Sequence, residues 1–228
     1  LDHTDHYKNI KDLIITMKEF GNNCKILIAN YDCKIVQNNF QANIWCSIET
    51  IKNMNYSAIP IQLSGKKTIA NYFENEEFID KIEFPIPGLH NLSNLICSIA
   101  ACRLSGIPYT ELKKGIEKLK SPLRRFELQG EWKGRLIVDD YAHHPSAVKA
   151  SIAMAKLMVN SKDCILPKIP KRLITVFQPH RYSRTRIFLD EFAKVFANSD
   201  VQTILIAPIY SAGEEQVDAI DHYSLTKK

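Results

Sequence analysis

The stretch RLIVDDYAHHPSAVKASIAMAKLMV, residues 135–159, decides the fold class. Leu136, Ile137 and Val138 read as a short apolar strand. Pro145 opens a helical run, at the one place where its missing N–H costs nothing. Between strand and helix stand two carboxylates, a phenol and two imidazoles: Asp139, Asp140, Tyr141, His143 and His144. Adjacent carboxylates repel each other, and burying either without a partner is costly. The loop is therefore expected to meet partners or a ligand.

The same alternation continues downstream. Residues 173–177 read as a strand and 187–197 as a helix with Phe188, Phe192, Val195 and Phe196 facing inward. Residues 203–207 read as a third strand. Strands alternating with helices predict a parallel α/β sheet, in which ligands bind beyond the carboxyl ends of the strands. All three strands end in polar segments: DDYAHHP, then QPHRYSRTR at 178–186, then PIYSAGEE at 208–215. If the strands are parallel neighbours, these loops converge on one edge. Arg181, Arg184 and Arg186 with His180 suit an anionic or zwitterionic small molecule, because arginine grips a carboxylate or phosphate by two parallel bonds.

Upstream the pattern differs. Candidate strands at 25–29, 44–48, 58–63 and 81–84 predict a sheet that is partly antiparallel. Ile10, Leu13, Ile14 and Met17 recur at helical spacing. Leu92, Leu95, Ile96, Ile99 and Ala100 mark a buried helix face, closed by Gly106 and Pro108. A further helix is predicted over 110–119. Ser121-Pro122 is the expected boundary, dividing the chain into domains 1–121 and 122–228.

Composition narrows the function classes. With 228 residues, 45% apolar and 24% charged, the chain is long enough for two real cores and reads as globular. A net charge of +5, without a basic block, does not argue for nucleic acid. Six cysteines without CxxC spacing point to a reducing compartment. No apolar run approaches the ~20 residues that span a bilayer, so no membrane insertion is expected. His143-His144 with His180 is a poor zinc set, since neighbouring histidines diverge. Ser64-Gly65-Lys66-Lys67-Thr68 lacks the first glycine of GxxxxGK(S/T) and reads as a turn. The opening Asp2-His3-Thr4-Asp5-His6 is either a metal-ligand set or a polar lead into a helix.

Six segments in order resemble the Mur ligases: DHTDHY at the start, PGLHNLSN at 87–94, RRFE at 124–127, DDYAHHP at 139–145, FQPHRYSRTR at 177–186 and YSAGEE at 210–215. The second loop is most similar to that of the alanine-adding members. The resemblance implies an α/β fold: a partial central ATP-binding domain with a mixed sheet, followed by a Rossmann-like domain that binds the amino acid. It implies ATP-dependent joining of L-alanine to UDP-N-acetylmuramate through an acyl phosphate, in cytoplasmic peptidoglycan synthesis. By the same resemblance His90 and Arg125 are catalytic. ATP is bound by Asn94, His90, Arg125 and Asp140, and L-alanine by Tyr141, His143, His180, Arg181 and Arg184. His3 matches a ligand of Mg2+, or of Mn2+, which accepts imidazole more readily. Asp139 and His144 carry no assigned role, and the resemblance says nothing of oligomeric state. The alternatives are a murein peptide ligase and a non-catalytic nucleotide- and amino-acid-binding module. The family's UDP-sugar domain and its GTxGKT loop are absent from these residues. The chain is thus expected to be part of a longer protein and inactive by itself.

Overall fold

A computed structural model of the chain describes residues 6–7, 9–216 and 220–228. Two compact units emerge. Among the described residues, one comprises 14–121 with 160–169, and the other comprises 6–7, 9–13, 122–159, 170–216 and 220–228.

The first unit is built on a five-stranded mixed sheet in sequential order. Strands β1 (Ile28–Asn30), β2 (Ile44–Ser47) and β3 (Tyr56–Leu63) run parallel. Strands β4 (Thr68–Glu74) and β5 (Glu77–Phe84) continue antiparallel. Alternation sets the inner face: Ala58, Ala70, Tyr72, Ile82 and Phe84 all point to one core. Pro60 is tolerated in β3 because the β2 ladder reaches only Tyr56 and Ser57. Helix α3 (Leu89–Leu104) lays the predicted face of Leu92, Leu95, Ile96, Ile99 and Ala100 on that core. It stops at Gly106, whose φ of 86° lets Ile107 N–H reach back to the Cys102 carbonyl. Helix α1 (Ile10–Asn22) precedes the sheet, α2 (Lys34–Asn39) joins β1 to β2, and α4 (Tyr109–Ile116) follows α3.

Strand β4 and helix α2 carry no clean sequence period. In β4, Ile69 and Ala70 are adjacent and both buried, which breaks alternation. Ser64–Thr68 is the turn expected from its sequence, with Ser64 Oγ accepting from the N–H groups of Lys66 and Lys67. Residues 160–169 dock on that turn: Gly65 N–H donates to Ser161 Oγ at 2.7 Å, and Ile165 N–H to the Gly65 carbonyl at 2.9 Å.

In the second unit, β6 (Glu127–Trp132) and β7 (Arg135–Asp139) form an antiparallel hairpin. Its two-residue turn is Lys133-Gly134, both at positive φ, the geometry that matches strand twist. Strands β8 (Ile174–Phe177) and β9 (Thr203–Ile206) pair in parallel. Helices α6 (Tyr182–Ile187) and α7 (Leu189–Ala197) form the crossover between them. Helix α5 (Pro145–Asn160) packs Val148 and Ile152 with Phe177, Phe188, Phe192 and Phe196. The short α8 (His222–Thr226) adds Leu225 to this cluster.

This differs from the expectation of three parallel neighbours. Among the described residues, β7 has its ladder with β6 alone. A two-residue turn closes that hairpin with little loop entropy, so the local partner takes the strand edge. The central expectation stands: an α/β chain, with a mixed sheet first and strand–helix alternation second.

Candidate functional site

The paired carboxylates of β7 resolve into two separate sets of partners. Asp140 Oδ2 accepts from Phe126 N–H at 3.0 Å. Its Oδ1 accepts from Ala142 N–H at 2.9 Å and from the Ser151 hydroxyl at 2.8 Å. Asp139 lies 3.5 Å from Arg124 Nε. Repulsion between neighbours is thus offset by distinct donors. The Arg124 guanidinium also stacks 4.5 Å above the Tyr141 ring, and the Arg124 carbonyl accepts from Tyr141 N–H at 2.8 Å. Arg124 and Phe126 thus bolt the 124–127 loop to Asp139, Asp140 and Tyr141.

Arg125 sits in the middle of this bracket. Its neighbours Arg124 and Phe126 have φ of 58° and 52°, a left-handed conformation that costs an ordinary side chain about 1–2 kcal/mol. The strain is held because Phe126 is buried and both loops are tied. The result is an exposed guanidinium on a fixed backbone.

The loops after β7, β8 and β9 converge, as expected. Ring centroids run 5.0 Å from Tyr141 to His143, 6.4 Å from His143 to His180, and 5.3 Å from His180 to Tyr210. The β8–β9 pairing does not end with the strands. Arg181 N–H donates to the Tyr210 carbonyl at 2.8 Å and Tyr210 N–H to the Pro179 carbonyl at 2.9 Å. These bonds hold His180 and Arg181 in place, the latter at a φ of 72°.

Arg184 is buried, with Nη1 3.3 Å from His180 Nδ1. A guanidinium only donates, so this Nδ1 accepts and the ring is neutral with its proton on Nε2. Burial, and then the charge of Arg184, push the His180 pKa below its usual value. Arg181 is more open and lies 3.6 Å from Glu214 Oε1.

The adjacent histidines do diverge. His143 joins the ring row, while His144 packs on Phe188 at 4.7 Å and bonds Ser146 through Nδ1 at 2.9 Å. His144 thereby gains a structural place at the start of α5. Among the described residues no group of three or more His, Cys, Asp or Glu side chains is arranged to hold a metal. His3 lies outside the described residues.

His90 and Asn94 belong to the first unit, exposed one turn apart on α3. Gly88 precedes them at a φ of 104°, and a Cβ there would stand 2.9 Å from His90 Cε1. Sequence reasoning missed Arg124, Ser151, Tyr210 and Glu214. The YSAGEE segment was the available signal for the last two, yet no single residue in it stood out.

A family model for the Mur ligase middle domain matches residues 1–102, and one for the Mur ligase, glutamate ligase domain matches residues 124–226. The chain belongs to the Mur ligase family. This Mur ligase chain is 49% identical over 225 residues, 99% of its length, to the UDP-N-acetylmuramate–L-alanine ligase of Prochlorococcus marinus strain NATL1A. It is 49% identical over 227 residues to the protein of the same name from Synechococcus sp. strain CC9311. It covers 45% and 47% of those two proteins, so it spans about half the length of the curated relatives it matches. The crystal structure of the UDP-N-acetylmuramate–alanine ligase of Thermotoga maritima superposes with a TM-score of 0.69 at 18% identity. That match covers 92% of this Mur ligase chain and 44% of the other, and shows the shared fold. Among the described residues, no helix is long and apolar enough to cross a membrane.

Proposed function

We propose that this chain is the ATP-binding and amino-acid-binding part of a cytoplasmic UDP-N-acetylmuramate–L-alanine ligase. The observation that carries the reading is the convergence of Tyr141, His143, His180 and Arg181 from two strand-end loops, with Tyr210 from a third. Residues 1–121 are the central domain without its phosphate loop, and 122–228 the amino-acid-binding domain.

The reaction runs in two steps. An oxygen of the lactyl carboxylate attacks the γ-phosphorus of ATP and ADP leaves. The alanine amine then attacks the acyl carbon, loses a proton, and the tetrahedral intermediate expels phosphate. Arg125 neutralises charge on the transferring phosphoryl group. Arg181, the more open arginine, takes the α-carboxylate, and Arg184 adds its charge from beneath His180. Neutral His180 does not repel the amine. His90 and Asn94 meet the phosphates and adenine. Asp140 already accepts three protein donors, and a carboxylate has about four acceptor sites, so one remains on Oδ2 for a ribose hydroxyl. The family resemblance also implies Mg2+ or Mn2+ near His3. The described residues do not supply a metal-binding set, and no step is assigned to one.

The test is phosphate release by the full-length protein with UDP-N-acetylmuramate, ATP and magnesium. Release with L-alanine is expected. Release only with the tripeptide L-Ala-γ-D-Glu-diaminopimelate would sink the reading in favour of a murein peptide ligase. Serine and glycine should compete at high concentration, since a methylene is worth only about 1–3 kcal/mol in such a pocket. The 228-residue chain alone should release no alanine-dependent ADP. Gly88→Ala should raise KM for ATP several-fold by displacing the His90 ring, with about 1–3 kcal/mol lost from strain at φ 104°. Nucleotide titration and thermal melting read the two effects separately.

A further inference from the structure

Glu214 has no part in that reading, yet it ties together the loops after β8 and β9. Its Oε2 accepts from Ser183 N–H at 3.0 Å and its Oε1 from the Ser183 hydroxyl at 2.7 Å. Oε1 also lies 3.6 Å from Arg181 Nη1. The side chain is 21% exposed. Burial works against its ionisation, but the two Ser183 donors and the Arg181 charge outweigh burial and hold its pKa below the usual range. Glu214 is therefore an anion at neutral pH, placed beside the arginine that would receive a carboxylate.

Where Arg181 receives the α-carboxylate, the Glu214 anion stands 3.6 Å from the same guanidinium. A second carboxylate would face an anion in the same loops. We infer that Glu214 is a specificity-determining residue that rejects acidic amino acids by charge, while its bonds to Ser183 keep Arg181 aimed. Discrimination of this kind works through a repulsive element as much as an attractive one. The inference rests on the reading of these loops as the amino-acid site.

The test uses two competitors of L-alanine that are alike in shape and differ in charge, L-aspartate and L-asparagine. Their inhibition constants are measured in the alanine-dependent phosphate-release reaction of the full-length protein. In the unmodified protein aspartate should inhibit about tenfold more weakly than asparagine, and the ratio should shrink as salt rises. Glu214→Gln should close most of that tenfold gap. Ser183→Ala, which loses one tether and keeps the charge, should leave the ratio in place. Equal inhibition by the two in the unmodified protein overturns the inference, as does a salt-independent ratio. So does a ratio that E214Q leaves unchanged, or that S183A shifts as far. Should E214Q melt below the assay temperature, the same inhibition pair is measured at a lower temperature at which the variant is folded. Absence of any alanine-dependent release is a separate outcome: it removes the amino-acid reading itself, and the inference with it.

Discussion

Replacing Arg125 with alanine is expected to lower kcat of the full-length ligase by about 10²–10³-fold, with KM for L-alanine changed less than about threefold. The residue would act on charge that develops during phosphoryl transfer, and losing one such donor costs about 2.7–4 kcal/mol of barrier. The side chain is exposed, so its loss removes no packing. The melting temperature should stay within a degree or two. Arg125→Lys should recover only part of the rate, since an ammonium lacks the planar fork. Steady-state phosphate release with a parallel thermal melt reads both quantities. An unchanged kcat would remove Arg125 from the phosphoryl-transfer step. A large fall in melting temperature would recast it as a structural residue.

Asp140→Ala should act in the opposite manner, on stability first. It strands the N–H groups of Phe126 and Ala142 and leaves the Ser151 hydroxyl only its second acceptor, the Ala147 carbonyl at 3.1 Å. Bonds to a charged acceptor are worth about 1.5–3 kcal/mol each, and they are not additive. A loss of about 3–4 kcal/mol is expected, read as a lower denaturation midpoint. Because Phe126 anchors one side of Arg125, kcat should fall as well. Ser151→Ala removes one donor and should cost only about 1 kcal/mol. Asp140→Asn separates the two uses of this side chain. An amide nitrogen cannot accept from a backbone N–H, so if the bracket dominates, stability and kcat fall while KM for ATP holds. A raised KM for ATP with unchanged stability would make ribose binding its main task.

Much of the site was legible because it is written in short segments. DDYAHHP, QPHRYSRTR and YSAGEE each follow an apolar strand, and a parallel α/β pattern sends such segments to one edge. Helix α3 was legible in the same way. Its apolar residues recur with the helical period, and Gly106 marks its end. Strand β4 was not, because Thr68, Ile69 and Ala70 are buried in succession and the alternation is lost. The partner of β7 was missed for a different reason. Alternation identifies a strand but not its neighbour, and Lys133-Gly134 was the overlooked signal for the hairpin.

Sequence alone determined the family, the α/β class and the side chains available for chemistry, because each depends on local patterns of residue type. The tertiary structure decided what those side chains do to one another. Asp140 is a bracket because Phe126 and Ser151, 14 and 11 residues away, are brought to its two oxygens. His180 is neutral because it is partly buried and because the Arg184 guanidinium lies 3.3 Å from its Nδ1. Glu214 meets Arg181 and Ser183 because the β8–β9 pairing continues into both loops and carries it 31 residues back to Ser183. Protonation states and hydrogen-bond partners follow from distance and burial, and long-range packing sets both.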